Sequence, residues 1–136
     1  MKRKFCLILS FIFVIMSISP FSVLATNISL FNNNVATTSS SFSISSDGEA
    51  CVLVDYMGYK DITTGATINI TIEKRTLLLF WNDVVTDTIT CNNYHYTNEF
   101  YYQLENSGTY RCTIEYVISG NGGADDVITF EDTVKY

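Results

Sequence analysis

Between Thr67 and Lys74 the chain alternates with a period of two. Ile68, Ile70 and Ile72 take one side, and Thr67, Asn69, Thr71 and Glu73 take the other. Successive side chains of a strand point to opposite faces, so this pattern predicts a strand with one face on a core and one in water. The same pattern returns at Tyr110, Cys112, Ile114, Tyr116 and Ile118, which share one face opposite Thr109, Arg111, Thr113 and Glu115. No stretch sustains a helical period, which excludes helix bundles and alternating helix–strand folds.

Turn chemistry divides the rest into further short strands. Thr26 to Ser41 is rich in Asn, Ser and Thr and reads as a flexible leader ending near a first strand at Phe42 and Ile44. Ser46-Asp47-Gly48-Glu49 predicts a tight turn, and Ala50 to Tyr56 a second strand. Met57 to Gly65 reads as a loop. After the Thr67–Lys74 strand, Leu77 to Trp81 is a compact apolar run expected to be the next strand, and Val84 to Cys91 a polar, edge-like one. Phe100, Tyr102 and Leu104 alternate again. Gly120-Asn121-Gly122-Gly123 turns the chain into a last strand, Val127 to Tyr136. Seven or eight short strands at these intervals predict an antiparallel, immunoglobulin-like β-sandwich over 42–136.

The first 25 residues carry a different signal. Lys2, Arg3 and Lys4 precede an apolar run from Phe5 to Ile18, Pro20 follows, and Val23-Leu24-Ala25 offers a small-residue cleavage site before Thr26. This reads as a secretory signal peptide over 1–25, and the apolar run is short for an uncleaved membrane anchor. Removal after Ala25 would leave a leader over 26–41, the sandwich domain, and no membrane span. Three of the eight Lys and Arg lie in that segment, so five remain against all 14 Asp and Glu, a net charge of −9. Such a chain repels phosphate backbones, which argues against nucleic-acid binding. The expected location is extracellular.

Asn106-Ser107-Gly108-Thr109-Tyr110-Arg111-Cys112 looks like the tyrosine corner of immunoglobulin-like domains, where a Tyr two residues before the second core Cys bonds back to nearby backbone. More widely, Gly48 and Ala50 opening a strand, Gly58 closing it, the Ile68-Ile70-Ile72 strand, Trp81-Asn82-Asp83-Val84, Gly108-Thr109-Tyr110-Arg111 and a final Tyr136 occur in order. In that order the chain resembles a group of small secreted proteins of Gram-positive bacteria, each a signal peptide followed by one immunoglobulin-like sandwich. The resemblance implies a fold and a location, not a reaction. It implies a Cys51–Cys112 core staple. Trp81 is too far from Cys51 to pack on such a bridge, and Cys51 alternates out of phase with Ala50, Val52 and Val54. A bulge near Glu49 would correct that phase. Cys51–Cys91 and no bridge at all stay open as alternatives.

No catalytic, metal or cofactor site is expected. His95, the only histidine, lies among aromatics without a nucleophile elbow. Asn121 to Asp126 lacks the spacing of a dedicated calcium loop, and the three cysteines lack zinc spacing. Glu131 and Asp132 read as solvated edge charges. Tyr94, Tyr96, Tyr101 and Trp81 are candidate binding aromatics, weighed against ordinary packing in strands. The expected function is a secreted, non-enzymatic module that binds a protein or glycan. A small secreted hydrolase and a self-assembling surface protein are the alternatives.

Overall fold

A computed structural model describes residues 32–77 and 79–136. The signal peptide, its cleavage site at Ala25 and Thr26, and the start of the leader lie outside the described residues. These form seven antiparallel strands and no helix: β1 (Val35–Ile44), β2 (Glu49–Gly58), β3 (Thr63–Thr76), β4 (Phe80–Cys91), β5 (His95–Gln103), β6 (Thr109–Gly120) and β7 (Asp126–Lys135). One sheet has the order β1-β2-β5 and the other β4-β3-β6-β7, and together they make an immunoglobulin-like β-sandwich. The constant-type arrangement places the fourth strand beside the fifth. Here β4 pairs with β3 instead.

The alternation builds the core. β2 contributes Ala50, Val52, Val54 and Tyr56; β3 contributes Ala66, Ile68, Ile70 and Ile72; β6 contributes Tyr110, Cys112, Ile114, Tyr116 and Ile118. β5 and β7 are edge strands, and their inward residues, Tyr96, Phe100, Tyr102, Ile128, Phe130 and Val134, are half-buried against this cluster. In the β1–β2 turn, Gly48 has φ 88°, the left-handed region a glycine reaches at least cost. Tyr110 is buried and its hydroxyl donates to the carbonyl of Asn106, the geometry of a tyrosine corner.

Three features differ from the sequence reading. β1 begins at Val35, inside the stretch read as leader, and pairs with β2 along its length. Its start is held by Asp126, whose carboxylate accepts the backbone N–H groups of Asn33, Asn34 and Val35 at 2.9, 2.7 and 2.9 Å. Second, Leu77 to Leu79 is not a strand but the β3–β4 turn, and Phe80 opens one strand that runs to Cys91. A register shift opposite Ile72/Glu73 leaves Val84 as the extra residue of a bulge. Third, Cys51, Cys91 and Cys112 are all free thiols. Neither the Cys51–Cys112 nor the Cys51–Cys91 bridge forms, because no bulge interrupts β2 near Glu49. Cys51 therefore faces outward from β2, while Cys112 is buried on the inner face of β6.

Candidate functional site

The four candidate aromatics do not come together. Tyr96 is inward on β5, paired with the buried Tyr56, and packs against the core. Tyr94 is exposed in the β4–β5 loop, so the two do not share an open face. Tyr101 is exposed on the outer face of the three-stranded sheet, opposite Cys51. Its hydroxyl donates to Glu99, and that carboxylate is the main reason the phenol is pushed up to about 12. Trp81 lies on the other sheet.

The groups weighed for chemistry are also dispersed. His95 is exposed at the start of β5, opposite Met57. Glu131 and Asp132 are neighbours on a strand and point to opposite faces. Glu131 reaches Arg111 at 3.8 Å, while Asp132 lies opposite Cys112. Asp126, in the loop weighed for calcium, is buried and committed to three backbone amides. Among the described residues no group of three or more His, Cys, Asp or Glu is placed to hold a metal ion. None of the helical structure needed to cross a membrane is present among them either.

The surface that stands out is the β3–β4 end. Thr76 pairs with Phe80, so the turn is three residues long, and β3 and β4 stay paired two residues past the last β3–β6 pair, Lys74–Tyr110. Leu77, Leu79 and Phe80 are 84%, 81% and 64% exposed. Such values are unusual for large apolar side chains gathered at one place, and gathered apolar exposure marks interaction sites. Leu77 has φ 49°, where a branched residue is strained and Gly or Asn is usual. Turn formation therefore does not explain a leucine at this position.

Behind the turn, on the outer face of the four-stranded sheet, Trp81 pairs with Arg75. The Arg111 guanidinium lies 4.6 Å from the Trp81 ring centroid and that of Arg75 5.8 Å away. Arg111 is fixed in turn by Glu73, whose carboxylate accepts from Nε and Nη2 at 2.7 Å each. A guanidinium held by a carboxylate and stacked on an indole fixes the ring's pose, since both partners give up little flexibility. Beside the turn, a groove of about 350 Å³ is lined by Lys74, Val84, Leu104, Glu105 and Tyr110 among others. Lys74 Nζ lies 5.7 Å from the Tyr110 ring in its wall.

Of the sequence candidates, only Trp81 belongs to this end. Leu77, Leu79 and Phe80 escaped attention because an unbroken apolar run reads as a buried strand. One signal was available: no Gly, Asn, Asp or Pro lies between Lys74 and Trp81. If that stretch holds a hairpin, its turn must be made of leucines. Comparison with known proteins finds no family model and no curated protein that matches the chain.

Proposed function

We propose that the chain is a secreted, non-enzymatic binding module that engages its partner through the β3–β4 end. The observation that carries this reading is the cluster of exposed apolar side chains at Leu77, Leu79 and Phe80, set against the braced Trp81. Exposed leucine and phenylalanine side chains cost solubility and stabilise nothing in the isolated domain. They repay their presence only when a partner covers them. Trp and Arg at the base are the residue types that dominate binding energies at interfaces.

The test is direct. Labelled protein starting at Thr26 is titrated onto Gram-positive cell envelopes. Saturable retention is expected, weakened about tenfold or more in a Leu79→Asp/Phe80→Asp variant, because each buried side chain is worth at least that factor. Retention unchanged in that variant would move recognition away from this end.

A further inference from the structure

We propose that the β3–β4 hairpin is a prong that enters the interfacial layer of an anionic lipid bilayer, carrying Leu77, Leu79 and Phe80 into the acyl region and leaving Trp81 at headgroup depth. The inference rests on the binding-module reading and specifies what the module binds. Three features of the end lead to it.

Shape comes first. The hairpin projects beyond the last β3–β6 pair, so its apolar residues form a convex tip. A stable protein interface buries about 800 Å² on each partner, and three side chains on one turn offer a fraction of that. A bilayer accepts a convex apolar tip of this size without a matching pocket, and reversible binding through a few apolar groups plus charge attraction is its usual outcome.

Charge comes second. Of the five Lys and Arg after residue 25, four (Lys74, Arg75, Arg111 and Lys135) lie at this end. Glu73 and Glu131 both engage Arg111. One step nearer the tip, Trp81, Arg75, Thr109 and Lys135 share a row across the outer face, and that row carries no carboxylate. The remaining surface is strongly acidic, because residues 26–136 carry 14 Asp and Glu. An anionic surface therefore repels most of this domain and attracts one row of it. That field turns the prong toward the membrane and fixes the orientation of approach.

Residue choice comes third. Aromatic rings with a polar N–H concentrate at the membrane–water boundary, with Lys and Arg beside them and Leu and Phe deeper. The order outward along this hairpin is the same: Arg75 and Trp81, then Phe80, then Leu77 and Leu79.

Trp81 is the only tryptophan, so the site carries its own probe. The protein starting at Thr26 is mixed with phosphatidylcholine vesicles, with and without phosphatidylglycerol, while indole emission and co-sedimentation are followed. A blue shift, quenching by lipids brominated on the acyl chain, and sedimentation with the phosphatidylglycerol vesicles are expected. Binding should weaken about tenfold when the anionic lipid is omitted or when molar salt is added. Leu79→Asp/Phe80→Asp should lose all three signals with an unchanged circular dichroism spectrum. Lys135→Glu should weaken only the phosphatidylglycerol-dependent part. Unchanged emission and no sedimentation with either vesicle would overturn the inference. If envelope retention still depends on Leu79 and Phe80 in that case, a protein or glycan takes the prong and the binding-module reading stands. If envelope retention is also insensitive to them, both readings fall. Tip-dependent dimerisation without vesicles would likewise overturn the lipid assignment.

Discussion

The two ends of this sandwich are built on opposite principles. At the end that holds the start of β1, polar side chains are buried and every one is used. Asn34 is fully buried; its side-chain amide donates to the carbonyl of Ala124 at 3.0 Å, and its oxygen accepts from Gly122 N–H at 3.1 Å. Asp126 ties three consecutive amides, and the Thr63 hydroxyl donates to the Asn34 carbonyl. Gly122 is required there, because a Cβ would run into the carbonyl oxygen of Asn33. At the β3–β4 end, apolar side chains are exposed and the backbone at Leu77 is strained. A protein does not need either feature to fold. The contrast separates residues kept for folding, which satisfy their neighbours, from residues kept for something outside the domain.

The largest effect that would break this comparison is expected at the closed end. Asp126→Ala strands three amides, and hydrogen bonds to a charged acceptor are each worth about 1.5–3 kcal/mol. A stability loss of about 3 kcal/mol or more is expected in urea unfolding, without loss of Trp81 pose. A loss below about 1 kcal/mol would mean that water replaces the carboxylate and that this end is less committed than it looks.

Alkaline pH probes the core between the ends. Burial, with a smaller contribution from Asp132, pushes the Cys112 thiol from 9.0 up to about 12. The folded state prefers the neutral thiol, so its stabilisation is intact below the unfolded-state value near 9 and is lost as pH climbs from there toward 12. Buried phenols at Tyr56, Tyr102, Tyr110 and Tyr116 are raised in the same sense. The urea midpoint should fall above pH 9, and Cys112→Val should make that fall shallower. Alkylation at pH 8 sharpens the point: Cys51, partly exposed on the outer face, should label well before Cys112.

A smaller effect is expected at the tyrosine corner. Tyr110→Phe removes the hydroxyl that donates to Asn106 and should cost about 1 kcal/mol by urea unfolding. At the open end the sign reverses. Leu77→Gly relieves a positive φ and should stabilise the domain by about 0.5–1 kcal/mol, because a branched residue there is penalised and glycine is not.

How much of this was legible follows from the range over which each residue acts. Strand alternation is local, so the inward sets of β2, β3 and β6 and the outward phase of Cys51 could be read directly. The Tyr110 corner also closes within four residues. The β1 start was not legible, because Val35 is held by Asp126, 91 residues away. Tyr94 and Tyr96 were misjudged as one face because β5 begins at His95, between them. Leu77 to Phe80 were misjudged because apolar residues normally signal burial, and a site for an outside partner violates that rule. The chemistry of recognition sits where local pattern and fold disagree.

The central claim is that the β3–β4 tip contributes to binding and not to folding. The measurement that tests it most directly is urea unfolding of a Leu77→Gly/Leu79→Asp/Phe80→Asp variant beside the wild type. The account predicts an unchanged or higher midpoint, with the same dependence on denaturant. A loss of about 2 kcal/mol or more, the size seen when packed side chains are removed, would place the tip among the residues that hold the sandwich together and would contradict it.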